Sequence, residues 1–131
     1  MIYRILFSVF LAGQAITGVQ AQSIFEKWPA LNAYHEVMKE TFHASEDGNL
    51  APLKSRSGDL KSQADILAKS EIPAEFNSPM IKTAIMQLKK DSKSIAKQVK
   101  KGKSSDGELT RSMAALHEVF HKIVGLCKEG H

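Results

Sequence analysis

Apolar side chains recur at spacings of three and four along most of this 131-residue chain, which is the repeat of an amphipathic α-helix. No part of the sequence has the strict alternation of a half-buried strand. The pattern predicts four helices. Their apolar stripes are Leu31, His35, Met38 and Phe42; Leu53, Leu60, Ala64 and Leu67; Ile81, Ile85, Leu88, Ser92, Ile95 and Val99; and Leu109, Met113, Leu116, Phe120, Val124 and Cys127.

Residues that begin or end helices separate the four stripes. Pro52 and Pro79 suit a first helical turn, and Glu108 is placed to form a capping box with Ser105. Short connections return the chain beside the helix that it has just left. The sequence therefore predicts an all-α fold, an antiparallel up-down four-helix bundle. Its helices are expected at about 29–44, where the first helix begins at Pro29 or a turn or two earlier, at 52–72, at 78–101 and from 105 or 106 onwards.

Residues 1–21 have the pattern of a cleaved secretory signal peptide. Arg4 is followed by an apolar stretch, and the small residues Val19 and Ala21 stand at positions −3 and −1 before Gln22. The apolar stretch is shorter than the roughly 20 residues that span a bilayer. We therefore expect one mature domain, residues 22–131, that is periplasmic or secreted and has no membrane span.

The charge of the chain is mildly basic, with 18 Lys and Arg against 14 Asp and Glu. This excess does not indicate a protein that binds nucleic acid. Lysines are concentrated around the polar side of the third helix, where a solvated face is their simplest interpretation. They are Lys89, Lys90, Lys93, Lys97, Lys100, Lys101 and Lys103.

His35 stands in the apolar stripe of the first helix, where a bundle normally has Leu or Ile. A buried imidazole needs polar partners. In an up-down bundle the first and last helices are antiparallel neighbours, which brings His35 level with about His121 and Met38 level with about Val119. We therefore expect His35, Met38, His117 and His121 to converge.

His117 and His121 are spaced i, i+4, so two imidazoles of one helix can share an ion. Three ring nitrogens and a thioether suit copper, and three nitrogens and a water molecule suit zinc. The alternative is that His35 hydrogen-bonds a neighbouring group while His117 and His121 are partly exposed. Both interpretations are open at this point.

Two enzymatic interpretations of the last helix are disfavoured. Residues 117–121 have the HExxH form of zinc proteases, but Glu118 falls on the polar side of the helix and only ten residues follow. The Glu-x-x-His of di-iron bundles occurs at 40–43 and 118–121, but its glutamates lie opposite the apolar stripes. We therefore expect a binding protein and not an enzyme.

Cys127-Lys128-Glu129-Gly130-His131 ends the chain. Together with the export pattern, the helix count and the Ile72-Pro73 break, this motif resembles the cytochrome c-prime family, exported four-helix bundles whose last helix ends in CxxCH. The resemblance implies haem attachment at Cys127, axial ligation by His131, and Met38 or His35 on the far side. Gly130 replaces the second cysteine, which leaves a single thioether, a non-covalent haem as in b-type bundle cytochromes, or a haem-free descendant.

Cys127 is the only cysteine, so it is a packed thiol, a bridge between the subunits of a homodimer, or a ligand or attachment point. The sequence predicts a bundle that binds copper or zinc through His35, Met38, His117 and His121. One alternative is a haem protein for electron transfer or gas binding. The other is a bundle without a cofactor that acts through protein contacts.

Overall fold

The computed structural model describes residues 24–129. The expected signal peptide, residues 1–21, lies outside them. The four predicted helices are confirmed, and between residues 24 and 129 none is long and apolar enough to cross a bilayer. A helical turn at 24–27 precedes them, and a short 3₁₀ helix, Ala74–Phe76, lies between the second and third. The long helices are α1 (Pro29–Glu46), α2 (Ala51–Lys69), α3 (Pro79–Lys101) and α4 (Asp106–Glu129).

Local hydrogen bonds explain where α3 and α4 begin and where α3 ends. The Ser105 hydroxyl accepts from the Glu108 amide at 3.1 Å, and the Glu108 carboxylate accepts from the Ser105 amide at 2.7 Å, which confirms the predicted capping box. Ser78 caps α3 by accepting from the Ile81 amide at 3.2 Å. Gly102 then ends α3 in the left-handed conformation, with φ of 66°.

The long helices pack into a helical bundle around one apolar core. Each contacts its neighbour in sequence, and α1 also contacts α4, although less than any of the consecutive pairs contact each other. The largest fully buried side chains come from all four helices and from the residue before α1. They are Trp28, Leu31, Tyr34, Met38, Leu53, Leu60, Leu67, Ile81, Leu88, Met113, Leu116 and Ile123.

The buried face of α1 is rotated from the predicted stripe. His35 is only half-buried, so the expectation that it lies in the core is wrong. Thr41 is buried instead, because its hydroxyl donates to the Val37 carbonyl at 2.9 Å and needs no other partner. Leu31, Met38 and Phe42 of the predicted stripe are buried, and the other buried residues of α1 are Tyr34, Val37, Thr41 and Ser45.

A buried hydrogen bond accounts for the rotation. The Tyr34 hydroxyl and Ser92 Oγ are 2.8 Å apart, and both residues are fully buried, so this bond joins α1 to α3 through the core. Burial raises the pKa of Tyr34 well above its usual range. A phenol ring whose hydroxyl has a partner buries more apolar area than an imidazole would. Residue 34, and not residue 35, therefore turns inward.

Candidate metal site

Four histidines surround one small pocket at the edge between α1 and α4, which we name the histidine pocket. Its volume is about 80 Å³. The four side chains that the sequence predicted to converge all line it. The chain has five histidines, and the fifth, His131, lies outside the described residues. The lining residues are His35, Met38, Lys39, Phe42, His43, His117, Phe120 and His121.

Aromatic stacking orients His35 at one end of the histidine pocket. The Phe25 and His35 rings have centroids 4.5 Å apart and planes that differ by 4°. Phe120 lies nearly parallel on α4, with its centroid 5.3 Å from that of His35. Burial lowers the pKa of His35, and the nearby Lys39 ammonium lowers it further. The stacked ring therefore favours the neutral form, which is the form that binds metals.

His117 and His121 form a close pair on α4. The Phe42 ring stacks on His117 with centroids 3.7 Å apart, and the His121 ring stands edge-on to His117 at 4.3 Å. Burial lowers the pKa of His117, and so does the neighbouring His121. A ring nitrogen binds zinc at about 2.0–2.1 Å, so two rings on one tetrahedral ion have centroids about 5 Å apart. The pair is close to that spacing.

The remaining ligands are not assembled in the same way. Among residues 24–129, no three His, Cys, Asp or Glu side chains lie together so that they could hold one ion. A third ligand to the His117 and His121 pair therefore requires a side-chain rotation. His43 is exposed and has room for it, whereas Met38 is buried at the base of the pocket with 1% exposure. The imidazole donors suit copper or zinc better than magnesium or calcium.

Two residues at or beside this site were not predicted to belong to it; His43 was interpreted from the sequence as a surface or capping residue, and Phe25 was not assigned a role. His43 follows His35 by eight residues, a little over two helical turns, so this spacing could have placed both rings along one edge of α1. Phe25 precedes α1 and has no periodic relation to it, so no sequence signal links Phe25 to His35. His43 lines the histidine pocket together with the pair on α4, whereas Phe25 stacks on His35 and restricts how that ring can turn.

The residues of the haem alternative are only partly described. Cys127 is a packed thiol in the core, with 5% exposure, and burial raises its pKa to about 11. Gly130 and His131 lie outside the described residues. The histidine pocket, at about 80 Å³, has room for an ion and a water molecule but not for a porphyrin. Met38 and His35, the residues proposed for the far side of a haem, therefore line a pocket that is only large enough for an ion.

Comparison of the chain with protein-family models, with curated proteins and with solved structures found no match. The resemblance to the cytochrome c-prime family therefore rests on the sequence features alone. A helical bundle serves many unrelated functions, so the function has to be argued from the site.

Proposed function

We propose that this protein binds one transition-metal ion, copper or zinc, in the histidine pocket. The observation that supports this most strongly is that four of the five histidines of the chain line one small pocket. Chance placement on a bundle surface would scatter them, since residues 24–129 form four long helices and several loops on which they could lie. Imidazole is the side chain that copper and zinc bind most often.

His117 and His121 are the first two ligands in this proposal, because their rings already lie near the spacing that a shared ion requires. His35 supplies the third nitrogen from α1 by a side-chain rotation. The Met38 thioether below the pocket completes a copper site, and a water molecule takes its place in a zinc site. His43 is the competing third ligand, since its exposed ring turns more freely than that of His35.

The ion links α1 to α4, the first and last helices of what we propose is an antiparallel up-down bundle. Two features support this arrangement. The connections between the long helices are short, and α1 contacts α4 as well as its sequence neighbour. An ion that joins α1 and α4 favours the folded state by about 2.7 kcal/mol at a free concentration of 100 times Kd. The function is reversible capture or delivery of the ion by a periplasmic or secreted protein.

Calorimetric titration of the mature chain, residues 22–131, with Cu²⁺ and with Zn²⁺ tests the proposal. We expect one ion per chain and a loss of affinity of about tenfold or more, equivalent to about 1.4 kcal/mol, in His117→Ala and in His35→Ala. His131→Ala is the matched control and should bind as the parent chain does. Unchanged binding in both pocket variants would exclude these ligands.

An absorption spectrum of the protein, purified after export, distinguishes the haem alternative from the metal-ion proposal. A metal-ion protein of the kind proposed has no Soret band as purified, and its melting temperature rises on addition of Cu²⁺ or Zn²⁺. A Soret band together with loss of haem in His131→Ala would support the haem alternative and contradict the ion proposal.

A further inference from the structure

A second concave surface lies between α2 and α3, and we name it the lysine groove. Its volume is about 590 Å³, within the roughly 300–1,000 Å³ typical of sites for small organic ligands. Five lysines line it, two from α2 and three from α3, and no Asp or Glu is among the lining residues. The five are Lys54, Lys61, Lys93, Lys97 and Lys100.

The floor of the lysine groove is apolar. It includes Gly58 on α2 with Ala96 and Val99 on α3, and most of its surface is carbon. The groove exists partly because Gly58 has no side chain, since a Cβ added there would meet no atom within 4 Å. Lysine side chains add apolar stems to such a floor while their ammonium groups stay at the rim.

The rim carries positive charge that the chain itself only partly neutralises. Lys54 pairs with Asp106 at 3.2 Å and Lys61 pairs with Asp65 at 3.5 Å. For Lys93, Lys97 and Lys100, no ion pair is found among the described residues. A solvated face explains lysines that point away from one another, but these line a single concavity with an apolar floor.

We propose that the lysine groove binds a single-chain amphiphile with an anionic head group, of the class of medium-chain fatty acids. The carboxylate lies among the ammonium groups of Lys93, Lys97 and Lys100, and the alkyl chain covers Gly58, Ala96 and Val99. Burial of each methylene from water contributes about 0.8 kcal/mol before the cost of association. This binding is independent of the histidine pocket and of the ion proposed there.

The test is calorimetric titration of the full mature chain with sodium dodecanoate below its micelle-forming concentration. We expect one dodecanoate per chain. Hexanoate has the same head group on a shorter chain and should bind at least about tenfold more weakly, because it buries fewer methylenes. Dodecyltrimethylammonium has the same alkyl chain with a positive head, so it should not bind. Equal binding of dodecyltrimethylammonium, or no binding of dodecanoate, would overturn the proposal.

Gly58→Leu locates the site, because its side chain fills the floor of the groove. Leucine favours a helix over glycine, so the variant should melt no lower than the parent chain. Gly125→Leu on α4 is the matched control, since an added Cβ there also meets no atom within 4 Å and Gly125 does not line the groove. We expect Gly58→Leu to weaken dodecanoate binding about tenfold or more, with Gly125→Leu unchanged. Equal affinities of the two variants would place the ligand elsewhere.

A charge-neutralising variant tests the role of the rim. Replacement of Lys93 and Lys97 by Gln should weaken dodecanoate binding several-fold at low salt, and the loss should shrink as salt increases because exposed charges are screened. The same double variant should leave the melting temperature unchanged. Unaltered dodecanoate affinity at low salt would show that the ammonium groups do not recognise the head group, and would overturn the proposal.

Discussion

Breaking the hydrogen bond between Tyr34 and Ser92 from the serine side should destabilise the fold by more than breaking it from the tyrosine side. Ser92→Ala leaves the Tyr34 hydroxyl buried without a partner, which costs about 1–3 kcal/mol. Tyr34→Phe removes that hydroxyl and leaves Ser92, whose Oγ can turn to a carbonyl of the preceding helical turn, so the cost is about 0.5–1.5 kcal/mol. These full costs apply because Tyr34 and Ser92 are both completely buried, with 0% exposure each, so water cannot replace the lost partner.

Urea denaturation of the two single variants and the double variant measures the coupling. Replacing both partners by apolar groups is nearly neutral, so Tyr34→Phe with Ser92→Ala should cost less than the sum of the single changes. In thermal melts each kcal/mol lowers Tm by about 4–8 °C in a domain near 100 residues. Ser94→Ala is the matched control, an exposed serine of the same helix, and should change stability by no more than about 0.5 kcal/mol.

Additive costs in the double variant would refute this reasoning, since the two hydroxyls would then contribute separately. So would a Ser92→Ala variant as stable as Ser94→Ala, because the phenol would then have found another partner or water. Either result would also remove our explanation for the phase of α1. The inward turn of residue 34 would then have to follow from ring packing alone.

Three further predictions follow from the same core and its helix ends. Folding raises the pKa of Tyr34 above its ordinary value of 10.0, so the contribution of Tyr34 to stability is complete below pH 10 and is lost as the pH rises. The free energy of unfolding, measured by urea denaturation from about pH 9 to 11, should therefore fall less steeply in Tyr34→Phe than in the parent chain. Gly102→Ala should destabilise the fold by about 1–2 kcal/mol, because Gly102 has a left-handed φ of 66°. Gly58→Ala, in the middle of α2, should stabilise the fold by about 0.5–1 kcal/mol. Urea denaturation measures both changes, and equal effects of the two substitutions would contradict this prediction. Iodoacetamide at pH 8 should alkylate Cys127 far more slowly in the native protein than in urea, because the thiol is buried and its pKa is raised to about 11, and equal rates would show that the thiol is accessible.

The helices could be predicted because the signals that define them are local. The capping box of Ser105 and Glu108 and the glycine at 102 act within one turn, so their effect does not depend on the rest of the fold. The phase of α1 could not be predicted in the same way. Tyr34 and His35 are adjacent amphipathic rings, and which of them turns inward depends on a hydroxyl at Ser92, 58 residues away in the sequence.

That His35, Met38, His117 and His121 lie around one pocket was predictable for a related reason. The i, i+4 spacing of His117 and His121 is local, and the level of His35 follows from placing the first helix beside the last. The prediction that His35 is buried in the core was wrong, because the buried face of α1 is rotated from the predicted stripe and His35 therefore lies at the edge of the bundle. Phe25 lies within the range of starts predicted for the first helix, but it is not part of that helix's apolar stripe, so the stripe did not link Phe25 to His35.

The most direct test of the metal-binding account is long-range ¹H–¹⁵N correlation of the histidine side chains in the mature chain at neutral pH. Zn²⁺ is added in steps up to two equivalents. We expect the ring nitrogens of His117 and His121 to shift together, an α1 histidine to shift with them, and all of these shifts to reach their end point at one equivalent. Rings of His117 and His121 that stay unchanged while His131 alone responds would contradict it.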